Sequence, residues 1–229
     1  MIAIIGAMDD EISMYLNHLK NVKKIKWNTF TFYKGQFNNK NIVLVKSGVG
    51  KTFAAMICQR LIDEFNVKKV LFTGVGGSLN KKLDIGDVVI GEDSVYHDFD
   101  ATQLGFKLGQ IPYTNYRFFK ADKKLLRLAL KANIDGHKII KGRILTGDQF
   151  FTLKEKTTKK YLTKELKGDC IEMEGAAVAQ VCTLNKIPHL IIRSMSDKSN
   201  KSAVKDYNKF TKLVAHNSFA IVDHILRNI

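Results

Sequence analysis

Residues 171–179 read IEMEGAAVA, and two glutamates, Glu172 and Glu174, stand two apart among apolar and small residues. A carboxylate buried in such surroundings is costly unless it is paired or takes part in chemistry. Two further acids occupy comparable places: Glu11 follows the apolar run IAIIG, and Asp197 closes IPHLIIRSMSD. Glu11, Glu174 and Asp197 each come after a strand-like segment. Well-separated acids that converge on one rim are how an α/β sheet assembles an active site. The alternative for each is a helix N-terminal acid favoured by the macrodipole. For Glu172 the alternative is a structural pairing with a neighbouring Lys or Arg.

Three other segments carry ligand-type residues. SGVGKT (47–52) follows a strand and opens a helix, but Val45 stands where a P-loop needs its first glycine, so it reads as a Gly-rich turn suited to an anion or a ribose. TGVGGSL (73–79) is a second glycine cluster, good for a sharp turn or for backbone approach to a ligand. YHDFD (96–100) holds metal-ligand types, but strand alternation sets His97 opposite Asp98 and Asp100, and no second cluster completes a site. The expectation is no metal there, with His97 in a hydrogen-bonding or interface role.

The elements that must position these residues alternate. Strands are expected at 2–6, 29–37, 41–48, 69–74, 87–100, 137–147, 168–173 and 187–197, with a hairpin turn at Asn38 and Asn39. Helices are expected after the first strand (apolar face Ile12, Tyr15, Leu16, Leu19), at 53–65, at 121–133, after Glu174, and at the C-terminus (Phe210, Leu213, Val214, Ile221, Val222, Ile225). Several strands are apolar on both faces. The class is therefore α/β, a mixed twisted sheet flanked by helices on both sides. The 229 residues suit one domain, 1–229. The opening run is short and meets acids at once, so it is no signal peptide, and no stretch spans a membrane. Three cysteines without a C-x-x-C pair read as reduced core thiols of a cytoplasmic protein. The charge of +15 comes from scattered lysines without interleaved aromatics, which describes a solvated surface rather than a specific nucleic-acid face.

The strings IIGAMDDEI, KSGVGK, TGVGGSL, IGDVVI, YHDFDAT, GQIP, TGDQF, IEMEGAAVAQVC and RSMSD, in order from residue 4 to residue 197, together resemble the 5′-methylthioadenosine/S-adenosylhomocysteine nucleosidases of the purine nucleoside phosphorylase superfamily. The resemblance implies a nucleoside phosphorylase-like three-layer fold, a cytoplasmic homodimer, no metal and no cofactor. It implies hydrolysis of the bond between adenine and a 5′-thio-substituted ribose, within methionine salvage. Under it, Asp197 is the general acid for the departing purine, with Ser196 beside it. Glu11 is the base that activates water, and Glu174 grips the ribose 2′ and 3′ hydroxyls over Met173. Phe150 stacks on adenine while the Phe151 backbone reads the base edge. Met8 and Tyr207 line the thioalkyl end, and a segment of the partner near Pro112 completes the pocket. Val75 stands where some relatives carry serine, so contacts there fall to the backbone of Gly76 and Gly77. That loop also offers no arginine for free phosphate, which favours water as the acceptor. Arg60 or Arg193 is expected to steady water and carboxylate. Arg193 would oppose a raised Asp197 pKa if the two side chains met on one strand face.

Overall fold

A computed structural model of the chain describes residues 1–152, 160–199 and 202–229. In chain order the elements are β1 (Ile2–Gly6), α1 (Asp9–His18), β2 (Lys20–Trp27), β3 (Phe30–Phe37), β4 (Lys40–Lys46), α2 (Lys51–Phe65), β5 (Lys69–Ser78), β6 (Val88–Tyr96), a 3-10 turn (Thr102–Leu104), β7 (Phe119–Lys120), α3 (Lys123–Ala129), β8 (Ile139–Thr146), α4 (Tyr161–Lys164), β9 (Cys170–Glu172), α5 (Gly175–Leu184), β10 (His189–Asp197) and α6 (Ala203–Asn228).

Strand alternation divides the core in two. Ala3, Ile5, Val43, Val45, Val70 and Phe72 point to one face, where they pack with Ile57 and Leu61 of α2 and Val178 and Cys182 of α5. Ile4, Ile42, Leu44, Leu71, Leu190 and Ile192 point to the other, against Ile12 and Tyr15 of α1, Leu125 of α3 and Ile221, Val222 and Ile225 of α6. This is the expected mixed sheet between two helical layers, since strands apolar on both faces need cover on both.

The order of pairing is β10-β6-β8-β9-β5-β1-β4-β3-β2, with an added pairing between β10 and β5. That added pair makes β5, β9, β8, β6 and β10 a closed circuit, with β1, β4, β3 and β2 as a wing. Gly77 is where the circuit tightens. It pairs with Ile171 of β9 on one side and with Asp197 of β10 on the other.

Three sequence expectations need correction. A strand from 20 to 27 forms at the edge of the wing, although it is lysine-rich and only Ile25 and Trp27 alternate inward. The strand expected to reach residue 100 ends at Tyr96, so alternation does not govern His97, Asp98 and Asp100. In α6, Leu213 is 68% exposed, because the first half of that helix buries Thr211, Val214 and Ala215 instead. The hairpin turn falls where expected: Asn38 and Asn39 have φ of 48° and 59°, left-handed values that asparagine tolerates.

Candidate active site

The ends of β1, β4, β5, β8, β9 and β10 contribute to one pocket. Met8, Glu11, Val75, Gly76, Gly77, Phe150, Phe151, Met173, Glu174, Ser196, Asp197 and Tyr207 line a cavity of about 560 Å³, counted out to its open mouth. Of the residues named for the site from the sequence, Arg60, Arg193 and Pro112 lie outside this wall. Ala7, Val49, Gln149, Ile171, Glu172 and Ser199 complete the wall. The wall contains four carboxylates and, among the described residues, no lysine, arginine or histidine.

Glu11 sits in the first turn of α1 and folds back over β1. Its Oε2 accepts the N–H of Ala7 at 2.6 Å and of Met8 at 3.0 Å, and Oε1 accepts the N–H of Val75 at 2.9 Å. Gly74 makes this possible, since a Cβ there would collide with the carboxylate. Burial raises the Glu11 pKa, while the Arg193 charge and these three N–H groups hold it down in part.

Glu174 caps the turn between β9 and α5. Its Oε1 accepts the N–H of Gly50 at 2.8 Å, so the Gly-rich turn of SGVGKT meets the protein's own carboxyl group. Burial, aided by the Glu172 charge, pushes Glu174 up to about 8. Lys51, the next residue, donates its N–H to Asp148 at 2.9 Å. The start of α2, which carries no acid in its own first turn, is therefore served by two carboxylates from other parts of the chain. The Lys51 ammonium meets Asp98 at 2.6 Å and Asp148 at 3.4 Å, tying this helix end to the loop that leads to Phe150.

Glu172 faces a different task from Glu174. It receives Nε of Arg193 at 3.1 Å and Nη2 at 2.5 Å, the N–H of Gly175 at 2.7 Å and of Glu174 at 3.2 Å, and the hydroxyl of Thr146. Thr146 in turn accepts the N–H of Ala176 at 2.8 Å. Glu172 is thus the structural partner of an arginine and also a cap for α5. Arg193 is 1% exposed, packs 4.2 Å over the Phe72 ring and reaches within 3.8 Å of Glu174. It does not meet Asp197. A bulge between Met195 and Asp197 advances the β5 partner by only one residue, from Gly76 to Gly77, so the alternation that would put 193 and 197 on one face is broken. Arg60 is not at the site: it pairs with Glu64 at 3.1 Å and stacks on Trp27 at 4.8 Å.

Asp197 is 3% exposed, and its Oδ1 accepts the N–H of Ser199 at 2.7 Å while Oδ2 accepts the Ser196 hydroxyl at 3.0 Å. Phe150, 43% exposed, meets the Tyr207 ring edge-on at 5.4 Å, and the Tyr207 hydroxyl donates to the Met8 sulfur at 2.9 Å. Phe151 is buried edge-on against His97 at 5.3 Å. The described residues contain no group of His, Cys, Asp or Glu arranged to hold a metal ion, and no helix long and apolar enough to cross a membrane. Of the wall residues that sequence reasoning left out, Val49 had a signal, since it lies inside SGVGKT. Ser199 had none, because nothing local says which way its hydroxyl turns.

The chain matches the model of the Phosphorylase superfamily over residues 1–227. It is 36% identical to the 5′-methylthioadenosine/S-adenosylhomocysteine nucleosidase of Staphylococcus haemolyticus over 229 residues, 99% of each chain. It is 38% identical to the aminodeoxyfutalosine nucleosidase of Campylobacter jejuni over 210 residues, 91% of this chain and 90% of that one. Its fold superimposes with a TM-score of 0.94, at 35% identity, on the 5′-methylthioadenosine/S-adenosylhomocysteine nucleosidase of Neisseria meningitidis in complex with methylthio-immucillin-A, covering 100% of this chain and 99% of that one. With the match running the length of the chain in both sequence and fold, the chain belongs to the Phosphorylase superfamily and, within it, to the 5′-methylthioadenosine/S-adenosylhomocysteine nucleosidases.

Proposed function

We propose that this chain hydrolyses the N-glycosidic bond of 5′-methylthioadenosine and S-adenosylhomocysteine, releasing adenine and the 5′-thio-substituted ribose. The observation that carries the reading is the convergence of Glu11, Glu174 and Asp197 on one pocket whose described wall holds no cation. An acidic pocket favours a sugar that becomes positive as its base leaves, and it offers no partner to a phosphate acceptor.

In this reading Asp197 gives a proton to the imidazole nitrogen of adenine as the bond from the sugar carbon breaks. The electron pair of that bond goes to the base, so adenine departs neutral. Glu11 takes a proton from the water whose oxygen joins the sugar carbon. A raised pKa makes Glu11 a stronger base than an exposed glutamate. Glu174 accepts hydrogen bonds from the two ribose hydroxyls, with Met173 as the apolar wall beneath the sugar. Binding of a ribose sets its hydroxyls in competition with the Gly50 N–H for this carboxylate. Phe150 stacks on the base and the backbone of Phe151 reads its edge. The backbone around Val75, Gly76 and Gly77 lets the ligand lie close, and Met8 with Tyr207 borders the thioalkyl group.

The reading extends to a cytoplasmic homodimer that serves methionine salvage, with the segment near Pro112 entering the partner's pocket. Exposed apolar residues support the pairing: Tyr113 next to Pro112 is 89% exposed, and Val49 and Phe53 at the mouth side of α2 are 47% and 48% exposed.

The test is release of adenine from 5′-methylthioadenosine in phosphate-free buffer, followed by absorbance. Turnover is expected without phosphate, and Asp197→Asn is expected to lower kcat by about 10²-fold or more. A strict need for phosphate would make the chain a phosphorylase instead. Cleavage of neither nucleoside would overturn the reading.

A further inference from the structure

Of the pocket's polar side chains, the Ser199 hydroxyl is buried and has no hydrogen-bond partner among the described residues. Its neighbours in the wall are matched: the Ser196 hydroxyl is spent on Asp197, and the Tyr207 hydroxyl on Met8. Burial of a hydroxyl without a partner costs about 1–3 kcal/mol. Ser199 also has φ of 48°, a left-handed backbone that a serine adopts at a cost. What holds it there is its own N–H, donated to Asp197 at 2.7 Å. The hydroxyl and the Asp197 carboxylate both lie over Gly77. A Cβ at Gly77 would collide with the Ser199 oxygen and would come within 3.0 Å of Asp197 Oδ1. The backbone contortion, the missing Cβ and the unspent hydroxyl all place one polar atom beside the carboxylate assigned to the leaving base.

We infer that Ser199 is a specificity-determining residue for that base, its hydroxyl accepting a hydrogen bond from the purine 6-amino group while Asp197 serves the adjacent ring nitrogen. The inference rests on the function proposed above. The chemistry follows from the purine itself, in which the imidazole nitrogen and the 6-substituent share one edge. Asp197 delivers a proton to the first, and a donor at the second needs an acceptor. A hydroxyl has two acceptor positions free, and Ser199 uses neither. A base that lacks the 6-amino group leaves the hydroxyl buried and unmatched, which is the situation in which binding sites discriminate most strongly.

The experiment compares Ser199→Ala with the wild type on two substrates, 5′-methylthioadenosine and the matching 5′-methylthio purine riboside, which has hydrogen in place of the amino group. The variant is expected to lose about 5- to 10-fold in kcat/KM on the first and to stay within about twofold on the second. Its melting temperature without ligand is expected not to fall, since the deleted hydroxyl makes no bond. Equal losses on both substrates, or no loss on either, would overturn the assignment. Calorimetric binding of free adenine and free purine to both proteins gives a second readout that needs no turnover, with the same preference expected for adenine in the wild type only. A wild type that cleaves no 5′-methylthioadenosine sinks the proposed function, while the adenine-to-purine comparison still decides the role of Ser199.

Discussion

At the scale of single residues, the two glutamates of IEMEG are separated by their partners. Glu172 meets the guanidinium of Arg193 and two backbone N–H groups, whereas Glu174 has the N–H of Gly50 and Arg193 only at 3.8 Å. Removing one member of a buried pair leaves the other charge unmatched. Arg193→Met is therefore expected to cost about 3–5 kcal/mol in urea unfolding, more than most surface changes. Glu174 behaves in the opposite sense. Its folded pKa of about 8 lies above the ordinary glutamate value, so the folded chain holds a proton that the unfolded chain releases. Stability falls as pH rises through that interval. Glu174→Gln is expected to raise the melting temperature at about pH 8 and to change it little at about pH 5. In the proposed reaction Glu11 sets the acid limb of activity. It works ionised and its pKa is raised by burial, so kcat/KM is expected to fall, as pH is lowered, at a pH above the usual carboxylate range.

At the scale of elements, legibility followed how local the cause is. The β3–β4 hairpin was readable because two asparagines accept left-handed backbone by themselves. The strand β2 was not, since lysines dominate it and only Ile25 and Trp27 turn toward the core, and it is held by pairing along β3. Lysines on an exposed edge also keep further strands from adding there. The start of α2 was readable as a place for an acceptor group, but not that the acceptors are the carboxyls of Glu174 and Asp148, which are 124 and 97 residues away. In the proposed mechanism strand β5 bears on catalysis through its glycines. Gly74→Ala is expected to push the Glu11 carboxylate off the N–H of Val75 and to reduce kcat by more than KM changes, which steady-state kinetics would resolve. Unchanged kcat would show that Glu11 does not need that seat.

At the scale of the whole molecule, the closed circuit of five strands determines where chemistry is possible. Gly77 pairs with both β9 and β10, so the ends carrying Glu174 and Asp197 are held to one spot by backbone hydrogen bonds on two sides. Free thiols take no part in this. Cys58, Cys170 and Cys182 are buried and unpaired by disulfides, as the reduced reading of the sequence expects. Sedimentation is expected to give twice the chain mass of 25.9 kDa, and Tyr113→Glu to weaken both association and turnover if the segment near Pro112 enters a partner's pocket.

Alternating apolar strands, amphipathic helices and glycine-rich strand ends determined the layered α/β class from the sequence alone, because those signals are periodic or local. The motif order also sufficed to name Glu11, Glu174 and Asp197. Only the tertiary structure decided that Arg193 belongs to Glu172 and not to Asp197, that Arg60 lies elsewhere, and that Ser199 turns an unmatched hydroxyl into the pocket. Each of those depends on a bulge, a sheet closure or a side-chain direction, and such features arise from contacts between residues far apart in the chain.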